Sequence, residues 1–214
     1  LLGKYIIRKI GNKKIIGKIV ETEAYIGPND KASHAYLQPK LRKRGIKAKI
    51  TPRNKAEFLK GGHIYIYLVY GMHWQLNIST YKEGYPECVL IRALEPIKRL
   101  QKIKMQNAKC KMIMQNSKSF KNLIKMTNGP GKLCKYLKLD KSFYAEDVCH
   151  SKRIWLAASI PTRQASPKGR KDWGGKLKPS QIKKGPRIGI DYAGPYWSKI
   201  PWRFWIKNNP FTSK

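Results

Sequence analysis

Glu21 and Glu23 stand two apart in the segment VETEAYIG (residues 20–27), and Tyr25 follows at the same spacing. Side chains alternate faces in an extended strand, so these three share one side while Val20, Thr22 and Ala24 share the other. A carboxylate beside an aromatic ring, on the polar face of a strand, suits a general base working next to a flat ligand. The ordinary alternative is a half-exposed edge strand whose glutamates pair with surface cations. Scarcity makes the pair worth weighing, because the chain has only 12 Asp and Glu against 46 Lys and Arg.

A second set lies in HIYIYLVYGMHW (residues 63–74). Tyr65 and Tyr67 fall on one face and Ile64, Ile66 and Leu68 on the other. Tyr70 ends the segment beside Gly71, where a ring at a turn is poorly placed to join a core and well placed to act as a wedge in a base stack. The alternative is an amphipathic strand with rings packed and hydroxyls wet. Arg92, inside the apolar run CVLIRALEP, must find an anion or a carboxylate partner. Thr51-Pro52-Arg53-Asn54 can cap a short helix and present Arg53 to a phosphate. His34 follows Gly27-Pro28 in a loop, where a lone histidine is usually just exposed. NGPGKL lacks the spacing and the hydroxyl residue of a phosphate loop.

The elements that must position these residues are mostly strands in the first half. Residues 4–10 and 15–25 flank the turn signal Gly11-Asn12, and residues 63–70 and 73–80 flank Gly71. Residues 88–94 form another strand, stopped by Glu95-Pro96. Apolar positions 97, 100 and 103 suggest a short amphipathic helix, Phe120, Leu123 and Ile124 a second, and residues 132–137 a third. Short strands are expected at 154–157, 187–191 and 202–206, and a long exposed loop at 161–186. There is no internal repeat and no heptad pattern. The chain reads as one mixed domain over residues 1–214.

Composition narrows the partner. Hydrophobic content of 41% is ordinary for a folded chain, so the formal charge of +34 is a surface property and not a sign of disorder. It favours a polyanion, nucleic acid first and an anionic membrane surface second. Basic residues cluster at 40–60 and 168–187, and no acidic residue occurs between Glu95 and Asp140. No apolar run is long enough to cross a bilayer. Cys88, Cys110, Cys134 and Cys149 match no metal-ligand spacing, so no bound metal is expected. Four cysteines could make two disulfides, but reduced thiols in a soluble intracellular protein are the favoured reading. A first residue of Leu suggests that the native chain extends further.

Together, a basic surface, stacking aromatics, a wedge and one pocket carboxylate describe an enzyme acting on an extruded nucleotide. Flipping costs a few kcal/mol, and each base–aromatic stack returns about 1–3 kcal/mol. The rival reading is a non-catalytic basic nucleic-acid-binding protein.

IVETEAYIGPNDKASHAY, TPRN, KGGHIYIYLVYGMHWQLNIST, EGYPECVLIRALEP, NGPGKLCKYL and PWRFWIKNNPF, in that order, resemble the 3-methyladenine (alkyladenine) DNA glycosylases. The resemblance implies an α+β fold, a single mixed domain with a curved, mainly antiparallel sheet, a protruding β-hairpin and several short helices. It implies that Glu23 is the general base activating the water that attacks C1′. Tyr25 and Tyr67 would sandwich the flipped purine, with His34 at its edge. Tyr70 would fill the vacated space in the duplex, and Asn77 would exclude the amino group of guanine. Arg92 matches a motif arginine near the flipped nucleotide's backbone, and Glu21 carries no family role. The implied activity is monofunctional excision of alkylated purines from double-stranded DNA. It would need no cofactor and would be carried out by a monomer without membrane attachment. Its setting would be a DNA-containing compartment, bacterial cytoplasm and nucleoid or eukaryotic nucleus. The chain departs from the family in a longer basic connection after His34, in Glu57 where methionine is common, and in Gly194-Pro195 where an acidic residue is frequent.

Overall fold

A computed structural model of the chain describes residues 1–97, 118–159 and 177–213. Its centre is an eight-stranded sheet in which every pairing is antiparallel. The strands are β1 (Tyr5–Ile10), β2 (Lys13–Ile26), β3 (Ile64–Val69), β4 (His73–Ser79), β5 (Glu87–Pro96), β6 (Ile154–Ala157), β7 (Ile182–Gly185) and β8 (Arg203–Ile206). The main path runs β3-β4-β5-β2-β1-β6, and β7–β8 joins it through β2. The sheet curls into a half-barrel, the curved α+β arrangement expected from the resemblance.

Length gives β2 its role. Its first half pairs with β1 across the short Gly11-Asn12 turn, where Gly11 has φ +54°. Its second half lies between β5 and β8, with the register shifting on either side of Glu21. Ile19 to Glu23 are therefore buried without a break, which excludes the half-exposed edge strand.

Among the described residues the helices are short: α1 (Pro39–Lys43), α2 (Lys118–Lys125), α3 (Pro130–Leu137) and α4 (Pro195–Lys199). Pro130 opens α3 at a position where no amide is needed, and Lys138 ends it in the left-handed region at φ +54°. Leu133, Cys134 and Leu137 then pack into the main core with Ile66, Leu76, Ile91 and Leu94. Gly131 allows close docking on the sheet, since a Cβ there would meet His73 Cβ at 3.0 Å. Leu123 of α2 joins Val20, Ala93 and Phe211 in a smaller cluster.

Several sequence expectations need correction. β5 does not stop at Glu95-Pro96 but runs through Pro96, which pairs with Gly17 at the strand end, where one missing donor is tolerated. Residues 187–191 are not a strand: Arg187 turns its side chain inward to Asp30, and Gly189 has φ +75°. The strand of that region is β7, inside the stretch expected to be a loop. The remainder of that expected loop, residues 161–176, lies outside the described residues, as do positions 100 and 103 of the first expected helix.

Candidate active site

One row of paired residues crosses the sheet beneath the site: Tyr65 (β3), Asn77 (β4), Leu90 (β5) and Glu23 (β2). Above it opens a cavity of about 780 Å³. Tyr25, His34, Arg53, Tyr67, Tyr70, Asn77 and Arg92 all line it, so strands and loops distant in sequence converge on one space. Glu23 is fully buried at the wall and is not itself part of the lining; its donors Tyr25, Arg92 and Ile188 are.

Three groups fix the Glu23 carboxylate. Oε1 accepts from the Ile188 backbone N–H at 2.8 Å and lies 3.2 Å from Arg92 Nη1. Oε2 accepts from the Tyr25 hydroxyl at 3.1 Å. Burial pushes its pKa above the ordinary carboxylate value; Arg92, the Ile188 N–H and the Tyr25 hydroxyl oppose that rise, and Glu21 adds to it. A desolvated carboxylate, oriented and more basic than usual, has the properties of a general base.

Arg92 finds the carboxylates that its apolar strand demanded. Its Nε lies 3.3 Å from Glu21 Oε1, and its Nη1 reaches Glu23. Glu21 is as buried as Glu23 but faces other partners: Arg203 Nε at 2.7 Å, and the Ser213 amide and hydroxyl at 2.5 and 2.7 Å. It ties β2 to β5, to β8 and to the C-terminal tail.

Aromatic and basic groups form the rest of the wall. The Tyr65 and Tyr67 ring centroids are 5.1 Å apart, and the His34 ring meets Tyr67 edge-on at 4.6 Å. Tyr65 is buried, and its hydroxyl lies 2.5 Å from His34 Nδ1 rather than in water. Desolvation, with Arg53 adding, lowers the His34 pKa below the usual histidine value, so the ring is neutral around pH 7. The Tyr65 phenol is held protonated by burial and can donate to Nδ1, which leaves the proton on Nε2. Arg53 stands over the Tyr67 ring at 5.4 Å. It is presented by a turn that Thr51 and Asn54 close, the Thr51 amide donating to Asn54 Oδ1 at 2.7 Å. Asn54 precedes the 3-10 turn Lys55–Phe58 but makes no side-chain cap bond to it. The Asn77 amide donates to the Tyr65 and Gln75 carbonyls at 3.1 and 3.3 Å, which locks its orientation. At the hairpin tip Tyr70 is 86% exposed, with φ +51°.

Sequence reasoning missed an inner support. Arg187, fully buried, donates to Asp30 Oδ2 and Oδ1 at 2.5 and 2.9 Å and to the Ala24 carbonyl at 3.0 Å. Its guanidinium lies against both the Tyr25 and Trp202 rings, 4.7 and 5.0 Å from their centroids. Glu57, also buried, lines the cavity, and Tyr192 joins it, donating to the Ala32 carbonyl at 3.1 Å. The scarcity argument applied to Glu21 and Glu23 singles out Asp30 and Glu57 as well.

A curled antiparallel sheet, an aromatic cavity and a buried carboxylate held against it define a class: basic α+β proteins with an aromatic pocket beside a buried, oriented carboxylate. The match to known proteins is more particular. The family model described as Methylpurine-DNA glycosylase (MPG) matches residues 1–210. DNA-3-methyladenine glycosylase of Mus musculus is 36% identical over 99% of this chain, which spans 56% of that protein's length. The Homo sapiens protein of the same name is 34% identical, with 99% of this chain and 62% of that one covered. A Clostridioides difficile protein, provisionally named a 3-methyladenine DNA glycosylase, is 42% identical over 97% of this chain and 92% of its own length. The chain belongs to the methylpurine-DNA glycosylase family.

Proposed function

We propose that this protein excises alkylated purines from duplex DNA, holding the extruded base in the cavity and hydrolysing its glycosidic bond with water activated by Glu23. The observation that carries the proposal is the Glu23 carboxylate, buried and held by three lining residues at the wall of an aromatic cavity. Tyr25 and Tyr67 stack on the purine, with the His34 Nε2–H at its edge. Tyr70, on its exposed turn, enters the duplex where the nucleotide left. Asn77 shapes the pocket against the amino group of guanine. Arg53 and Arg92 face the nucleotide's phosphates, Arg92 while it also orients Glu23.

The chemistry fits a modest apparatus. Alkylation at N3 or N7 makes the purine cationic and a good leaving group, so orientation and one base suffice. A positioned general base contributes roughly 10²–10⁴-fold, and electron-rich rings favour a cationic base. Water rather than an amine attacks C1′, so the product is an abasic site in an unbroken strand, with no cofactor taking part.

The test is incubation with a duplex carrying 3-methyladenine, 7-methylguanine, hypoxanthine and ethenoadenine, followed by mass spectrometry of free bases. Release of 3-methyladenine with alkali-labile sites left behind is expected. Tight binding with no base released would instead establish a non-catalytic nucleic-acid-binding protein.

A further inference from the structure

Glu57 is the only acidic residue lining the cavity among the described residues, and the proposed chemistry does not use it. It sits in the 3-10 turn Lys55–Phe58 and is 1% exposed. Its Oε1 accepts from Ser33 Oγ at 3.1 Å and from the Cys88 thiol at 3.6 Å. Its Oε2 has no hydrogen-bond partner among the described residues, and no Lys or Arg among them pairs with the carboxyl. Buried polar atoms are costly to leave in that state, and one in a cavity wall calls for a ligand group.

We propose that Glu57 is a specificity-determining residue of this pocket, its unpartnered oxygen supplying the negative charge that selects a cationic, ring-alkylated purine over a neutral one. The inference rests on the reading of the cavity as the site of an extruded purine. Oε1 already has two donors, so Oε2, buried in the cavity wall, carries charge that no side chain among the described residues balances. The neighbouring cations do not compete for it. Arg187 is committed to Asp30, Arg92 to Glu21 and Glu23, and Arg53 lies over Tyr67. A positively charged ring meeting Glu57 gains an ion pair in a desolvated place, whereas a neutral ring gains a hydrogen bond at most.

The charge of the cavity lining then depends on pH through its one carboxyl among the described residues. Burial raises the Glu57 carboxyl to about 7, against the Ser33 and Cys88 bonds and with Asp30 adding to the rise. The groups facing it stay fixed around neutrality. The Cys88 thiol on β5, the Tyr65 and Tyr67 phenols on β3, and Tyr144 beside the 3-10 turn are all raised by burial and remain protonated. His34 is lowered and remains neutral, and Asp30 is paired with Arg187. Below the Glu57 pKa its carboxyl is neutral; above it the carboxyl is anionic and draws a cationic base.

The experiment compares the native chain with Glu57→Gln and Glu57→Met at pH 6 and pH 8. The KM for a duplex containing 3-methyladenine is set against the dissociation constant of one containing ethenoadenine, which is neutral. An opposite charge within about 4–6 Å shifts such equilibria by one or more pKa units, a factor of ten or more. Glu57→Gln should therefore raise the 3-methyladenine KM on the order of tenfold at pH 8 and leave it unchanged at pH 6. Its kcat should change little, and ethenoadenine binding should not weaken at either pH. An unchanged KM at pH 8, an equal rise at both pH values, or an equal loss of ethenoadenine binding would overturn the proposal. If neither variant folds, the native chain decides: its 3-methyladenine KM must improve from pH 6 to 8 relative to ethenoadenine binding. A native chain that releases no base at all sinks the glycosylase reading and this inference with it. Base release with a pH-independent preference sinks this inference alone.

Discussion

Glu21 and Glu23 are alike in type, strand and burial, and they differ in what holds them. Tyr25, the Ile188 amide and Arg92, all of the cavity wall, hold Glu23, whereas Glu21 shares Arg92 and is otherwise held by Arg203 and Ser213. As the proposed general base Glu23 must be ionised to accept a proton from water, and burial raises its pKa. Single-turnover base release should fall about tenfold per pH unit below that raised pKa and level off above it. A rate that stays flat down to the ordinary carboxylate range would contradict the assignment. Glu57 allows a stability test of the opposite sense. Its folded pKa of about 7 exceeds the unfolded value, so its contribution to stability is complete below the unfolded pKa and is lost as pH rises through 7. Glu57→Met should thus raise thermal stability at pH 8 by up to ~3 kcal/mol and give no such gain at pH 4. The residue types were legible in the sequence where one strand carries the pattern: Glu23 with Tyr25, Tyr65 with Tyr67, and the need of Arg92 for a carboxylate. Asp30–Arg187 and Ile188–Glu23 were not, because 157 and 165 residues separate the partners and no local period connects them.

At the scale of elements, the β3–β4 hairpin and the long strand β2 divide the labour. Cross-strand pairing of Tyr65 with Asn77 and of Tyr67 with Gln75 puts four cavity residues on one face of the hairpin. The same hairpin carries Tyr70 outward at its tip. A left-handed tyrosine costs about 1–3 kcal/mol and persists only where its surroundings enforce it, and such strain collects at functional positions. Tyr70→Ala should leave the melting temperature nearly unchanged, since the ring is exposed, while weakening the preference for lesion-bearing over undamaged duplex by tenfold or more. Competition binding with the two duplexes reads this directly; an unchanged preference removes Tyr70 from the account. β2 carries a different expectation. Because Glu21 joins β2, β5, β8 and the tail in one buried network, Glu21→Ala should destabilise the fold by about 3–5 kcal/mol, as breaking a buried ion pair does. Denaturant unfolding checks it, and a loss below 1 kcal/mol would show the network to be incidental. Alternation made the strands of this region readable in the sequence. The ends were less so: Pro96 lies inside β5, and the segment after β7 gives up regular structure to send Arg187 inward.

For the whole molecule, the formal charge of +34 and the family's action on DNA belong together. Charge alone distinguishes nothing, because any basic nucleic-acid binder weakens with salt as this one should. On the proposed reading, what separates a glycosylase from such a binder is the Glu23 carboxylate, buried at the wall of the cavity and held there by the curled sheet. The overall architecture was legible because the strands are regular and the resemblance spans the chain. The polar interior was not, because it is assembled from loops and tail residues that carry no pattern of their own. The most direct measurement is single-turnover release of 3-methyladenine by Glu23→Gln and by the native chain from the same methylated duplex, with affinity for that duplex measured alongside. If Glu23 is the general base, release by Glu23→Gln should fall by at least a hundredfold, the low end of what that role contributes, with affinity kept within severalfold. Release by Glu23→Gln at the native rate would contradict it.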